Sequence, residues 1–441
     1  MTLLDVQKAL FRFRAVKVLL GLFFLARGLV RFPFAPYQGI TDFCWVYRVS
    51  GVGWLQRAAY DLITCYVFDG RQSSGRLMQA FLRSSVARRA ANRIVEREAP
   101  YDSMFRDIMV LKAPANGEKG VIVLEYTVRF DLFVALFDYE RIIKDYYIVL
   151  EPCWAGYCDP SILMFAGGQT DIIVQAPEVR DFEFLERLNC NLKPIMLGSS
   201  DWIDSDLFSA PPPGSPRPYD LVMVANWAKH KNHRKLFAAL ERVTHRPISV
   251  LLIGIDWGGR TGEDILAEFR EFNLSHVALE MKTGIPAREV ARLLGESKVF
   301  LLLSEKEGSN RAIVEALFAD TPAILYEHFV GGAKGKINPR TGLLSSFENL
   351  GATIDRALDH RAQFTPRAWA LAETGSANAT ARLDTLLSKI AASRGEPWTA
   401  GIVEKVNNPN FNYKRPGDFP VSQQAPHITR AYLREHCRSK G

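Results

Sequence analysis

The segment KVFLLLSEKEGSNRAIVEAL, residues 298–317, joins an apolar run to a helical pattern through a short turn that contains a glycine. The run from Lys298 to Ser304 predicts a buried strand, and the apolar spacing that begins at Arg311 predicts a helix. A helix that starts directly after a strand directs free backbone N–H groups and the positive end of its dipole beyond that strand. We therefore expect this turn to bind an anion, most simply a diphosphate.

Two glutamates accompany this helix start. Glu307 lies in the turn and Glu315 lies further along the helix, so both side chains can face one ligand from different levels. Carboxylates repel a bare phosphate but accept hydrogen bonds from the hydroxyl groups of a sugar or ribose. The pair therefore favours a sugar nucleotide as the ligand. The alternative is that both glutamates are ordinary helix-start charges that the dipole stabilises.

Strand and helix patterns alternate through most of the chain. Apolar runs predict strands at residues 120–126, 146–151, 171–175, 220–225, 249–254, 276–281, 298–304 and 322–326. Helical spacing predicts intervening helices at residues 130–144, 160–166, 233–242, 263–272, 287–294 and 311–319. This alternation is typical of right-handed βαβ units over parallel sheets. We expect an α/β fold with two Rossmann-like, doubly wound domains that face a cleft.

The proline-rich stretch APPPGSPRP, residues 210–218, can neither continue a helix nor donate to a sheet, which predicts an interdomain linker. The expected organisation places a basic helical region at residues 1–100 and an N-terminal Rossmann-like domain at 101–209. After the linker at 210–218 come a C-terminal Rossmann-like domain at 219–395 and a tail at 396–441.

The positive charge of the chain is regional. The net charge is +7 overall, whereas residues 1–100 alone hold fifteen Lys and Arg against six Asp and Glu. Two basic stretches, residues 17–31 and 76–98, mix these charges with apolar side chains, as helices in the interface of an anionic membrane do. The alternative for the first stretch is a core helix whose arginines reach out to solvent. Because residues 101–400 carry no basic excess, we expect no nucleic-acid partner.

The cysteine pattern favours the cytosol. Six cysteines occur without a C-x-x-C pair, which fits neither a zinc site nor a dense disulfide framework and predicts reduced thiols. Uninterrupted apolar residues around position 20 are too few to span a bilayer. We therefore expect a cytoplasmic protein that is peripheral on the inner face of the cell membrane through residues 1–100.

Other strand ends add groups to the same predicted crevice. The first strand after the linker is followed by NWAKHKN, residues 226–232, whose Lys231 can neutralise a diphosphate. The next strand ends at Gly254, which permits close backbone approach. With these features the chain resembles the retaining GT-B glycosyltransferases of family 4. The resemblance covers residues 195–395 and rests on Lys231, the E-x7-E block from Glu307, DTP at 320–322, TGLL at 341–344 and GSSDWIDSDLF at 198–208.

The resemblance implies roles for individual residues. Lys231 and Glu307 would be catalytic, with Lys231 on the donor diphosphate and Glu307 on the sugar. The remaining donor contacts would come from Asn226, Lys229, Gly254, Met281, Lys282, Gly308, Ser309, Asn310 and Glu315, with Glu315 on the ribose and Met281 and Lys282 near the base. The family's arginine before the lysine is replaced by Asn226 or Trp227, so Lys229 or Arg234 would neutralise the diphosphate instead.

The N-terminal domain resembles the family only in its βαβ rhythm. The family's histidine near the reacting carbon has no counterpart, because every histidine lies at or beyond His230. Acidic and basic residues after its predicted strands are candidates to orient the acceptor, or alternatively form turns and helix caps: Glu151, Asp159, Glu178 and Arg180.

The expected reaction is a metal-independent, retaining transfer of a sugar from a nucleoside-diphosphate sugar, without a cofactor. The acceptor would be a saccharide or a lipid-linked molecule in polysaccharide or glycolipid assembly at the membrane. Two alternatives stay open: a sugar-nucleotide epimerase on the same scaffold, and a non-catalytic membrane-associated subunit. Incubation of the donor without an acceptor distinguishes the epimerase, which would release an epimerised nucleotide sugar. Absence of nucleotide binding would indicate the non-catalytic subunit.

Overall fold

A computed structural model of the chain describes residues 13–68, 75–95, 108–407 and 411–418. It divides into two compact units. The first contains the described residues up to Ile195 and the segment Ile390–Gly401, and the second contains Met196–Lys389 and Ile402–Asp418. The proline-rich stretch expected to link the domains lies inside the second unit, where a Cβ on Gly295 would be 3.2 Å from Pro211.

The first unit begins with five helices: α1 (Arg14–Arg31), α2 (Pro36–Val49), α3 (Gly53–Val67), α4 (Arg76–Arg83) and α5 (Ser85–Val95). They share one hydrophobic core with the sheet that follows, so they are part of the first unit rather than a separate extension. Close packing explains a glycine in α1, because a Cβ on Gly28 would lie 2.5 Å from the ring of Phe43. Among the described residues, no helix is both long enough and apolar enough to cross a membrane.

The sheet of the first unit has five strands: β1 (Ile108–Lys112), β2 (Gly120–Glu125), β3 (Tyr146–Glu151), β4 (Ile172–Gln175) and β5 (Leu192–Ile195). They lie in chain order, with β1 antiparallel to β2 and the other neighbours parallel. The connections contain α6 (Thr127–Leu136), α7 (Tyr139–Asp145), α8 (Pro160–Leu163) and α9 (Val179–Leu188).

The second unit contains a six-stranded parallel sheet: β6 (Tyr219–Val224), β7 (Ile248–Gly254), β8 (Val277–Thr283), β9 (Ser297–Leu302), β10 (Ala323–Tyr326) and β11 (Gly342–Ser345). The strand order β11-β10-β9-β6-β7-β8 reverses between β6 and β9. Alternate side chains pack into separate cores on the two faces, with Val222 in one and Leu221 in the other, as expected of a parallel sheet covered on both sides. The α/β class with two Rossmann-like units is confirmed.

The second unit also contains the helices α10 (His233–Leu240), α11 (Gly262–Phe269), α12 (Ala287–Gly295), α13 (Arg311–Phe318), α14 (Leu350–Asp359), α15 (Pro366–Glu373) and α16 (Ser376–Ser393), the last residues of which belong to the first unit. The region expected as a tail contains an antiparallel pair, β12 (Lys405–Asn407) and β13 (Phe411–Tyr413). Lys405 anchors this pair, because its buried ammonium lies 4.8 Å from the centre of the Trp202 ring.

Candidate functional site

A pocket of about 410 Å³ lies in the second unit, lined by residues that follow β6, β7 and β9 and by the start of α13. The strand order reverses between β6 and β9, which is where open parallel sheets bind ligands. Six of the residues expected from sequence line it: Asn226, Gly254, Glu307, Ser309, Asn310 and Glu315. A larger, open depression of about 1230 Å³ beside the proline-rich stretch contains none of these.

Lys231 and Glu307 form an ion pair at this crevice. The turn after β6 ends at Asn232, which adopts a left-handed conformation and donates from Nδ2 to the carbonyl of Leu303 at 2.8 Å. This contact ties the turn to the end of β9 and brings Lys231 Nζ within 2.5 Å of Glu307 Oε1. Both side chains are largely buried, so the attraction between them is only weakly screened by water.

Asn310 holds the second oxygen of Glu307. Its Nδ2 donates to Glu307 Oε2 at 2.8 Å, while its Oδ1 accepts from the backbone N–H of Ile313 at 3.1 Å and caps α13. Burial alone would raise the pKa of Glu307, but the Lys231 ammonium and the Asn310 hydrogen bond together lower it below the usual value. Glu307 is therefore an ionised carboxylate whose two oxygens are both engaged.

The turn that carries Glu307 is fixed by backbone contacts with a neighbouring loop. The N–H of Glu307 donates to Val330 at 3.1 Å, and the N–H of Gly332 donates to Gly308 at 2.9 Å. Between these bonds Gly331 has a φ of +143°, and a Cβ there would lie 2.0 Å from the carbonyl oxygen of Glu307. Only glycine fits this approach.

Two serines near the beginning of the second unit hold Ser309 in place. Ser200 donates from its N–H to Ser309 Oγ at 3.0 Å, and the two hydroxyl oxygens are 2.6 Å apart. Ser199 donates from its hydroxyl to the carbonyl of Ser309 at 3.0 Å. The GSSDWIDSDLF segment thus supports the turn before α13, and its last residue, Phe208, lines the pocket.

Glu315 lines the same pocket with different electrostatics. Desolvation by the surrounding protein raises its pKa to about 7, and the nearby Arg311 guanidinium only partly opposes this rise. Near neutral pH its carboxyl group therefore exists in both forms and can accept or donate a hydrogen bond. Arg311, the first residue of α13, also lines the pocket and adds a positive charge that the sequence did not assign to the site.

Several expected donor contacts are absent from the pocket lining, among them Gly308 and Lys231, which contacts the lining residue Glu307. Lys229 is exposed, and Arg234 pairs with Glu271 at the surface. On β8, Lys282 pairs with Glu280 at 2.9 Å, while Met281 packs against a core of the second unit. The strand end expected at Met281 is wrong, because β8 continues to Thr283. Met281 and Lys282 therefore lie within the strand and not in the loop beyond its end.

The pocket contains apolar residues that sequence reasoning missed. At the end of β7, after β8 and on α12, the apolar lining consists of Ile253, Ile255, Ile285, Ala287 and Val290. The sequence signal for these residues was the apolar character of the positions at and just after each strand end.

Behind Lys231 lies another missed residue, His233, which is buried and has no hydrogen-bond partner for either ring nitrogen in the described part of the chain. Desolvation lowers the pKa of His233 to about 3, so the ring stays neutral.

In the first unit, the acceptor-side candidates fill structural roles. Asp159 caps α8 by accepting from the N–H of Ser161 at 3.0 Å and pairs with Arg48. Glu178 caps α9 and also accepts from Arg180 Nε at 3.0 Å. Glu151 is buried and accepts from Gln175 at 3.1 Å. Asp159 and Glu178 therefore act as helix caps, whereas Glu151 contacts the neighbouring strand.

Two exposed aromatic residues lie at the same edge of the first sheet. Tyr126 directly follows β2 and Trp154 lies in the loop after β3. Tyr126 has a φ of +65°, a conformation that costs energy for a residue other than glycine and often marks functional positions. Asp181 fixes the loop after β3 by accepting from the N–H groups of Gly156 and Tyr157, both at 2.8 Å. An aromatic residue soon after a strand end was the missed signal.

Asp204 and Asp206 have the spacing of an Asp-x-Asp metal motif, yet both are paired. Lys414 Nζ contacts Asp204 and lies 2.6 Å from Asp206. The lysine lowers the pKa of Asp206. These carboxylates are thus engaged with a cation of the chain itself.

One family model matches part of this chain. Residues 208–363 match the family model of glycosyl transferases group 1, a segment that contains all the pocket residues. The fold is similar to that of sucrose-phosphate synthase (tll1590) from Thermosynechococcus elongatus, with a TM-score of 0.51 and 16% identity over 72% of this chain and 80% of that one. No curated protein is similar enough in sequence to count as a match.

Weaker similarities extend to other solved structures. Anabaena Alr3699/HepE in complex with UDP and glucose has a TM-score of 0.48 and 12% identity over 69% of this chain and 83% of that one. The lipopolysaccharide outer core galactosyltransferase WaaB in its apo form has a TM-score of 0.47 and 13% identity over 69% and 80%. The fold is GT-B, and the family match supports glycosyl transfer as the function.

Proposed function

We propose that this chain is a retaining glycosyltransferase that moves a sugar from a nucleoside-diphosphate sugar to an acceptor. The observation that carries the proposal is the Lys231–Glu307 ion pair beside the N-terminus of α13, within the segment that matches the family. Retention is supported by the resemblance of this block to the retaining enzymes of family 4. No cofactor takes part, because the donor itself carries the leaving group.

The pocket suits a nucleotide sugar in size and in chemistry. Its volume of about 410 Å³ lies in the range of small-molecule sites. The apolar wall that includes Ile253, Ile255 and Val290 offers a surface for a planar base, and Glu315 offers a carboxyl group for ribose hydroxyls. The N-terminus of α13 carries the positive end of the helix dipole, which would attract the diphosphate.

Lys231 changes partners in this mechanism. Without a donor its ammonium group is bound to Glu307, and a diphosphate would compete for it. As the sugar–phosphate bond lengthens, negative charge grows on the leaving diphosphate. A fixed ammonium group therefore stabilises the transition state more than it stabilises the ground state. The departing phosphate then takes the proton of the acceptor hydroxyl, so no histidine in the first unit is required.

We propose that the transfer needs no metal ion. Lys231, Arg311 and the N-terminus of α13 supply positive charge at the pocket. Asp204 and Asp206 are bound by Lys414 instead. Positive groups of the protein can stabilise a diphosphate leaving group in the same way as a bound cation.

The acceptor is proposed to be a saccharide, free or lipid-linked, bound at the edge of the first sheet. Trp154 and Tyr126 offer exposed aromatic faces there, which suit the apolar C–H face of a sugar ring. The basic excess of residues 1–100 supports a lipid-linked acceptor at the cytoplasmic face of a membrane, where polysaccharide or glycolipid assembly would take place.

A thermal-shift screen against nucleoside-diphosphate sugars, followed by mass spectrometry of each stabilising donor with and without saccharide acceptors, tests the function. We expect one donor to stabilise the protein and to be consumed only with an acceptor. Epimerised donor in the absence of an acceptor would establish the epimerase alternative. If no donor shifts the unfolding temperature, the chain is a non-catalytic subunit.

A further inference from the structure

One side of α1 exposes an apolar stripe along the whole helix. At about 100° per residue the exposed apolar positions share one arc of the helix, about 120° wide. The members of this arc are Ala15, Leu19, Leu22, Phe23, Ala26, Leu29 and Val30, and the exposed Phe34 continues it beyond the helix end. The most exposed helical members are Leu19 at 67% and Val30 at 71%. No charged side chain lies within the arc.

The opposite side of α1 is committed to the protein. Gly21 and Gly28 are buried against α2 and the residue that follows it, since a Cβ on Gly21 would lie 2.8 Å from Ser50 and a Cβ on Gly28 would lie 2.5 Å from Phe43. The helix therefore cannot rotate to bury its apolar stripe without losing this packing. Nine of the seventeen exposed large apolar side chains in the described residues fall between Phe13 and Trp54, which concentrates them on this part of the molecule.

Tryptophans and basic residues accompany the stripe. Trp45 and Trp54 are both exposed, and Trp45 stacks on Phe24 of α1 with ring centres 5.9 Å apart. Tryptophan is enriched where proteins meet the interface of a bilayer, because its ring is apolar and its N–H is polar. Residues 13–68 contain six Lys and Arg against two Asp, one of which, Asp42, is buried and bound by Arg27 at 2.5 Å.

We infer that this face of α1, formed by Leu19, Leu22, Phe23, Leu29, Val30 and Phe34, docks on an anionic lipid bilayer. The helix would lie parallel to the membrane, with its apolar arc among the lipid tails and its basic residues at the headgroups. Charge complementarity favours lipid over a second copy of this chain, because self-association would bring two basic rims together. This surface would bring the enzyme to a lipid-linked acceptor, a role that rests on the proposed function.

Vesicle flotation of the full chain tests this surface. Phosphatidylcholine vesicles with and without phosphatidylglycerol are compared for the wild type, the double variant L19Q/V30Q and the control L371Q. Leu371 is 48% exposed on α15 of the second unit, so its substitution makes the same chemical change away from α1. We expect the wild type and L371Q to float with anionic vesicles. The affinity of L19Q/V30Q for these vesicles should be lower by about tenfold or more.

Equal flotation of L19Q/V30Q and the wild type would overturn the inference, as would failure of the wild type to bind anionic vesicles. Concentration-dependent dimerisation in sedimentation velocity that L19Q/V30Q abolishes, without vesicle binding, would assign the face to a second copy. The unfolding temperature of each variant shows that folding is intact. Because flotation requires no sugar transfer, its outcome is separable from that of the proposed function.

Discussion

Lys231 Nζ lies 2.5 Å from Glu307 Oε1, although 76 positions separate the two residues in the sequence. One follows β6 and the other follows β9, the neighbouring strands at which the order of the second sheet reverses. The carboxyl ends of neighbouring parallel strands lie side by side, so the topology itself brings this cation and this carboxylate together.

Removal of either member of this pair should abolish transfer. We expect Lys231→Ala and Glu307→Ala to lower kcat/KM by about 10² or more, because each removes a group that acts on the developing charge. The measurement is initial-rate kinetics with the donor found by thermal shift. Lys235→Ala removes an exposed lysine four residues away and is the control. A Lys231→Ala enzyme as active as Lys235→Ala would contradict the assignment.

Glycine at position 331 should be required for the shape of the donor site. Gly331→Ala would place a Cβ 2.0 Å from the carbonyl oxygen of Glu307 at a φ of +143°, so the turn must move. We expect a loss of about 1–3 kcal/mol in the free energy of unfolding and weaker binding of the donor found by thermal shift. Urea unfolding and calorimetry measure the two effects. Gly335→Ala is the control, because a Cβ there meets nothing within 4 Å; similar losses in both variants would refute this role.

Glu315 should make stability depend on pH. Its pKa is raised to about 7, so the folded state holds a proton that the unfolded state has released between about pH 4.5 and 7. The wild type therefore loses stability over this interval as the pH rises. Glu315→Gln removes the ionisation, so its stability relative to the wild type should grow from pH 4.5 to 7, by up to about 3 kcal/mol, and then level off. Urea unfolding across this range measures the difference, and a constant difference would exclude the raised pKa.

Substitution of Trp154 should weaken acceptor binding and leave donor binding unchanged. We expect Trp154→Ala to raise KM for a water-soluble saccharide acceptor by about tenfold, because it removes an aromatic face available for stacking. The Kd for the donor should stay unchanged, since every residue of the donor pocket belongs to the second unit. Steady-state kinetics and calorimetry give the two values. An unchanged acceptor KM would remove Trp154 from the acceptor site.

Chelation should leave transfer intact. Positive charge at the pocket comes from Lys231, Arg311 and the start of α13, so we expect the same rate before and after treatment with EDTA and after addition of Mg²⁺. Rates measured on protein freed of metal decide the point. A rate that EDTA abolishes and Mg²⁺ restores would establish a metal-dependent transferase.

Local pattern was sufficient for the strand, turn and helix of residues 298–317 and for most of the parallel strands. Hydrophobic period and turn chemistry depend on neighbours along the chain, so β9 and α13 follow from the sequence. Local pattern did not give the last residue of every strand correctly. The extension of β8 to Thr283 moved Met281 and Lys282 away from the pocket.

By itself the sequence determined an α/β chain with a glycine turn, two glutamates and a lysine at strand ends, and a basic first hundred residues. Only the tertiary structure decided which of these groups meet. It paired Lys231 with Glu307 and turned Arg234 toward Glu271. It also packed one side of α1 on the protein and exposed the other. The physical reason is that contacts between distant residues depend on how the strands and helices pack, which spacing along one segment does not encode.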